Sequence, residues 1–177
     1  MNDIKAIETI YNGYKFRSRL EARWAVFFDA LGIEYEYEPE GFSLDYGIRY
    51  LPDFALKNVR WRGEENPIYV EVKGVDFYTD IKLDERVRIE MFAKHKPIIV
   101  LGNLPKDHWG AFDKWGWDTL MSFDLLDGDE YPAFFSKYDD EIWLCGPDHD
   151  EFRPGSVDEA LSIARQARFE HGETPRY

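Results

Sequence analysis

An α/β fold is predicted for this chain by three observations. An amphipathic helix opens the readable part of the sequence, three short strands follow it, and a second helix separates the third strand from a fourth. A helix lying between two strands marks a crossover connection and a parallel pair.

The first helix is predicted over 18–31. Leu20, Trp24, Phe27, Phe28 and Leu31 recur at helical spacing and form one apolar stripe, and Gly32 ends it. Glu21 lies about 70° from the centre of that stripe at 100° per residue, so it borders the packed face. Ser18 and Glu21 also fit a capping box, which accounts for Glu21 without chemistry; capping and a metal contact through water are compatible.

Ile33, Tyr35 and Tyr37 alternate with glutamates as a half-exposed strand, broken by Pro39-Glu40-Gly41. Residues 50–56 read as a second strand, with Pro52 arguing for an edge or an irregularity. Alternation groups Leu51, Asp53 and Ala55 on one face and Tyr50, Pro52, Phe54 and Leu56 on the other. After a polar connector, 57–66, a third strand is expected over 68–73. Ile68, Val70 and Val72 share one of its faces; Tyr69, Glu71 and Lys73 share the other. A helix over 80–95 and a short buried strand over 97–101 (PIIVL) complete the series.

Beyond Pro105 a hairpin is expected from 134–138 and 142–145, and a last helix from a capping-box pattern at Ser156–Glu159 to about 169. The chain divides into a core, 1–105, and an acidic extension, 106–177, packed upon it.

A chain of 177 residues with 17% aromatics suffices for one domain with a full core. No apolar run is long enough to span a bilayer, and the N-terminal stretch lacks the pattern of a secretory signal. A single cysteine, Cys145, excludes an internal disulfide framework and a cysteine zinc cluster. A cytoplasmic location is the expectation. Net charge is −13, unevenly placed: residues 1–105 hold 15 Lys/Arg against 18 Asp/Glu, and 106–177 hold 7 against 17. Such a balance repels nucleic acid at long range unless some carboxylates bind metal and the acidic part faces away from the site.

Four residues carry the chemistry: Glu21, Asp53, Glu71 and Lys73, in the segments SRLEARW, YLPDF and YVEVKG. Hydrolysis of a phosphodiester needs an activated water, neutralised phosphoryl oxygens and a stabilised leaving group, all of which bound Mg²⁺ can supply. Mg²⁺ takes hard oxygen ligands and keeps several waters, so one or two carboxylates suffice. Asp53 and Glu71 on neighbouring strands offer two. Lys73, two residues beyond Glu71 on the same face, can bring its ammonium to the attacking water or the phosphate. Glu21 can hold a second ion or a water of the first. Arg17, Arg19 and Arg23 at the first helix, and Lys82 and Arg86 one turn apart on the second, are candidate backbone contacts. Trp61, Trp109, Trp115 and Trp117 can stack on bases, although core packing suits most of them better. The four histidines show no zinc spacing.

Pro52-Asp53 and Glu71-Val72-Lys73, with Glu21 as an added helix acid, resemble the motif of the PD-(D/E)XK nuclease superfamily. The wider string SRLEARWAVFFDALGI, YEPEGF, YLPDF and YVEVKG looks like small nuclease-like proteins of phage and bacterial genomes. The resemblance covers about 16–102 and implies a restriction-endonuclease-like αβββαβ core with a mixed central sheet and a C-terminal elaboration. It implies a Mg²⁺-dependent nuclease, with Mn²⁺ able to substitute. In that family Asp53, Glu71 and the backbone carbonyl of Val72 would bind metal, Glu21 would support it, and Lys73 would assist water attack to leave a 5′-phosphate. DNA as substrate, endonuclease action, a homodimer and a bacterial host cell are further implications. The acidic 106–177 segment departs from what a simple DNA-wrapping nuclease carries. It motivates the alternative expectation, a non-catalytic interaction or DNA-mimic protein on a nuclease scaffold that binds a basic partner through that segment.

Overall fold

The computed structural model describes residues 7–61, 67–75, 80–105, 120–123, 130–132, 134–138, 140–145 and 155–169. It begins with a feature the opening pattern did not suggest, a hairpin of β1 (Thr9–Tyr11) and β2 (Tyr14–Phe16). Asn12 and Gly13 form its turn with φ of 46° and 80°. This is the pair of positive φ values that a type I′ turn demands, and Asn-Gly between apolar residues is its sequence signal.

Helix α1 spans Arg19–Leu31. Ser18 caps it in extended conformation: its Oγ accepts from the Glu21 N–H at 3.1 Å and donates to Glu21 Oε1 at 2.7 Å. Gly32, at φ 86°, closes the helix in a Schellman motif, with the Ile33 N–H on the Phe28 carbonyl at 2.8 Å. Lys137 Nζ donates to the Leu31 carbonyl at 3.1 Å, placing a cation at the helix C-terminus.

The remaining elements are β3 (Tyr35–Tyr37), β4 (Phe42–Ser43), β5 (Arg49–Tyr50), β6 (Phe54–Leu56), β7 (Val59–Arg60), β8 (Ile68–Val72), α2 (Leu83–Ala93), β9 (Ile98–Leu101), β10 (Leu120–Phe123), β11 (Glu130–Pro132), β12 (Phe134–Tyr138), β13 (Glu141–Cys145) and α3 (Gly155–Gln166). Six strands form one mixed sheet in the order β11-β10-β9-β8-β6-β3. β8 and β9, joined through α2, are parallel, and the other neighbours are antiparallel. The crossover inferred from the helix between strands is therefore present. The expected hairpin after residue 133 is also present, with β13 adding a parallel pairing to β7.

Alternation splits the sheet into two faces. Phe54, Leu56, Ile68, Val70, Val72, Ile99 and Leu101 pack with Trp24, Phe27, Phe28 and Leu31 of α1 and with Val157, Ala160, Leu161 and Ala164 of α3. Ala55, Tyr69, Ile98 and Val100 pack on the opposite face with Ile89, Phe92 and Ala93 of α2. Each fully buried large apolar side chain contributes about 1.5–3 kcal/mol relative to exposure, so this three-layer packing carries the fold. Beyond residue 106, β10 and β11 extend the main sheet, β12 and β13 form a second sheet with β7, and Phe135, Ile142, Leu144 and the apolar residues of α3 join the α1-side core.

Two local expectations are corrected. Residues 50–56 are two strands, because the chain breaks at Pro52: β5 pairs with β4 in a separate ribbon and β6 enters the main sheet. Tyr50 accordingly packs with Ala55 and Phe92, and not with Phe54 and Leu56. Helix α3 begins at Gly155, so Ser156 sits inside its first turn instead of capping it. Among the described residues, no helix is long and apolar enough to cross a membrane.

Candidate active site

The break at Pro52 builds the site. Asp53 lies between the two strands, yet its N–H bonds the Val70 carbonyl at 2.9 Å and its carbonyl accepts from the Glu38 N–H at 2.8 Å. Its backbone is therefore tied on both sides while its side chain projects toward the end of β8. There Val72 N–H donates to Asp53 Oδ2 at 2.7 Å. The carbonyl of a strand residue points to the same side as its N–H, so the Val72 carbonyl also faces Asp53.

Glu21, Asp53, Glu71, Val72 and Lys73 line one open cleft of about 390 Å³, together with Arg17, Arg49, Tyr50, Leu51, Glu85 and Arg88. Three of the carboxylates are nearly out of solvent: Asp53 is 4% exposed, Glu21 7% and Glu71 8%. Each is satisfied by named donors, as buried carboxylates must be. One oxygen of Asp53 takes the Val72 N–H and the other takes Arg17 Nη2 at 2.5 Å. One oxygen of Glu71 takes the Tyr50 hydroxyl at 2.7 Å and the other takes Lys73 Nζ at 2.9 Å. Glu21 is held by Ser18 on Oε1, and on Oε2 by the Tyr37 hydroxyl at 2.6 Å and the Arg17 N–H at 3.1 Å.

These arrangements shift the titration of the site. Burial pushes the Asp53 carboxyl well above its ordinary range, and the neighbouring Glu71 and Glu21 charges push it further, against the opposing pull of Val72 N–H and Arg17. Burial pulls the Lys73 ammonium down, but contact with Glu71, with Glu85 and Asp53 behind it, outweighs burial and leaves its pKa above the usual lysine value. Lys73 is therefore a cation throughout the neutral range. Tyr50 and Tyr37 are both raised, by burial first and then by the carboxylates they donate to, so each stays a hydroxyl donor.

The donor set fits a hard divalent cation. Asp53 and Glu71 each keep one oxygen on a neutral donor and turn the other toward a cation of the chain itself, Arg17 or Lys73; with the Val72 carbonyl they are oxygen ligands of the kind Mg²⁺ and Mn²⁺ take. Among the described residues no group of three or more His, Cys, Asp or Glu side chains is placed to hold a metal ion, so any cation here would rest on two carboxylates and a carbonyl. Mg²⁺ does not require more, because it keeps several of its waters.

The basic residues separate. Arg17 enters the cleft, where it also bonds Glu38 at 2.9 Å. Arg19 and Arg23 lie elsewhere, on the flank of α1 facing α3. Lys82 is an exposed residue at the start of α2, and Arg86 pairs with Glu90 at 2.7 Å; neither lines the cleft. The basic α2 residue that does is Arg88, itself paired with Asp84 at 2.7 Å, and Arg49 also lines the cleft. Lys82 is the extended N-cap of α2 and not a helical residue one turn before Arg86, and helix phase points Arg88 at the cleft. Trp61 is a buried core residue; Trp109, Trp115 and Trp117 lie outside the described residues. Tyr37, Tyr50, Glu38 and Glu85 were not singled out from sequence. Only Tyr50 carried a signal, its place in the segment that contains Asp53.

The cleft lining holds four basic residues (Arg17, Arg49, Lys73, Arg88) and four acidic ones (Glu21, Asp53, Glu71, Glu85). The local charge is balanced although the chain carries −13. Comparisons with protein-family models, with curated proteins and with solved structures gave no match.

Proposed function

We propose that this protein is a metal-dependent nuclease that hydrolyses phosphodiester bonds of DNA as an endonuclease, on a restriction-endonuclease-like core of the PD-(D/E)XK kind. The observation that carries the reading is the convergence of Glu21, Asp53, Glu71 and Lys73 in one cleft from a helix, a strand start and a strand end. The lining supports it further, because its four basic residues offset its four acidic ones, so the cleft lacks the net negative charge that the chain as a whole presents to a polyanion.

Asp53, Glu71 and the Val72 carbonyl would hold Mg²⁺ or Mn²⁺. The bound ion supplies charge for the phosphoryl oxygens and a more acidic water. Glu21, fixed by Ser18, Tyr37 and the Arg17 N–H, is a rigid acceptor suited to orienting a water of the metal shell. Lys73, charged and tethered to Glu71, acts as a hydrogen-bond donor that positions the attacking water or neutralises the phosphate, and not as a general base. Arg17, paired with Asp53 and Glu38, and Arg88, paired with Asp84, line the cleft and would exchange those carboxylates for phosphates of the strand.

The test is cleavage of plasmid and single-stranded DNA with Mg²⁺, Mn²⁺ or EDTA, wild type beside Glu71→Ala with its fold checked by circular dichroism. Cutting that requires both metal and Glu71 is the expected outcome. A folded wild-type protein that binds neither ion and cuts no form of DNA would sink the reading.

A further inference from the structure

A second cavity, of about 580 Å³, lies between α1 and the C-terminal end of α3, lined by Arg19, Arg23, Arg165, Arg168, Gln166 and Phe169 among others. Arg19 and Arg23 are each two residues from Glu21, which is 200° around the helix at 100° per residue. The cavity is therefore on the flank of α1 away from the cleft, and none of its lining residues lines the cleft.

Four arginines line this cavity in a chain of net charge −13, and no acidic residue is among its described lining. Helix electrostatics does not explain the pair on α1, since cations in the first turns of a helix oppose its macrodipole. Packing does not explain Arg23 either. The Nε of Arg23 is buried and has no hydrogen-bond partner among the described residues, whereas buried polar groups are almost always partnered. Arg165 is held in place by its bond from Nη1 to the Pro105 carbonyl at 2.9 Å. Like charges that share a cavity repel, so a polyvalent anion offsets more of this lining than a single carboxylate does. The planar fork of arginine matches phosphate oxygens two at a time.

We propose that the α1–α3 cavity is a binding site for phosphate groups, separate from the cleft and independent of whether the cleft cuts DNA. The phosphates come from a free polyphosphate or from the backbone of a nucleic acid strand, and the arms of the experiment separate these sources.

Metal-free protein in EDTA is titrated calorimetrically with inorganic pyrophosphate and, separately, with a short oligothymidylate that has no terminal phosphate. Wild type is compared with Arg23→Gln, with the solvent-exposed Arg168→Glu, and with Glu71→Gln in the cleft. Saturable binding of at least one probe is expected, weakened about tenfold or more in both arginine variants and unchanged in Glu71→Gln. Saturation by pyrophosphate identifies a free-polyphosphate site; saturation by oligothymidylate alone identifies a backbone site. Absence of saturable binding, wild-type binding by Arg168→Glu, or loss of binding in Glu71→Gln would each overturn the proposal. Arg168→Glu keeps the test decisive if Arg23→Gln disturbs packing, because Arg168 lies on the surface.

Discussion

Replacing Tyr37 by Phe isolates the bond that holds Glu21 in the cleft. The Tyr37 hydroxyl donates to Glu21 Oε2 at 2.6 Å and accepts from the Arg17 N–H at 3.1 Å. Phenylalanine keeps the ring, which packs on Phe16 at 4.5 Å and Phe54 at 5.3 Å between centroids, so no cavity opens. The Arg17 N–H retains Glu21 Oε2 as acceptor, at 3.1 Å, so no donor is orphaned. What is lost is one buried hydrogen bond to a carboxylate, worth about 1.5–3 kcal/mol. For a chain of this size that lowers the melting temperature by about 3–12 °C. Urea denaturation in EDTA at neutral pH measures it, and a double-mutant cycle with Glu21→Gln assigns it to the pair. A coupling energy above about 1 kcal/mol is expected. A coupling below about 0.3 kcal/mol would show that Tyr37 does not hold Glu21 and that the rigid-acceptor role of Glu21 is wrong.

Lys73→Ala should retain metal-dependent thermal stabilisation while cutting falls about a hundredfold or more, the scale of losing one donor to the reacting centre; equal loss of metal binding would make Lys73 a structural residue. Asp53→Asn should abolish cutting yet stabilise the metal-free protein by about 1–2 kcal/mol at pH 8, because it removes a buried charge beside Glu71. The sign follows from the raised Asp53 pKa: the stability tied to its protonated form is complete below the ordinary carboxylate range and is lost as pH rises through the folded value. The advantage of the variant should therefore vanish in urea melts near pH 4 or below, and an advantage constant with pH would contradict this account. Tyr37 and Tyr50, both raised above the ordinary tyrosine value, give an alkaline counterpart. Their contribution is complete below about pH 10 and is lost above it, at up to about 1.4 kcal/mol per pH unit for each. Tyr37→Phe should show a shallower alkaline loss than wild type in the same melts.

Features that depend on neighbours in sequence were legible from the chain itself. Helical spacing located α1 and its buried stripe, Ser18 and Gly32 marked its ends, and period-two alternation sorted Val70 and Val72 from Tyr69 and Glu71. The helix between β8 and β9 announced their parallel pairing. The motif residues Asp53, Glu71 and Lys73 stood out because two strands bring them to one region whatever the packing around them. Other features required the tertiary fold. The break at Pro52 sends β5 into another ribbon, which turns Tyr50 toward Glu71, a contact that alternation along an unbroken strand assigns to the wrong face. Tyr37 reaches Glu21, and Arg17 reaches Asp53 across 36 residues of sequence, only because α1 packs over the sheet. The phase of α2 decides that Arg88 faces the cleft while Arg86 pairs with Glu90. The four arginines of the second cavity come from opposite ends of the chain, and α1 against α3 alone brings them together. Local periodicity encodes which face a side chain takes; the partner on that face is decided by long-range packing, which no local pattern specifies.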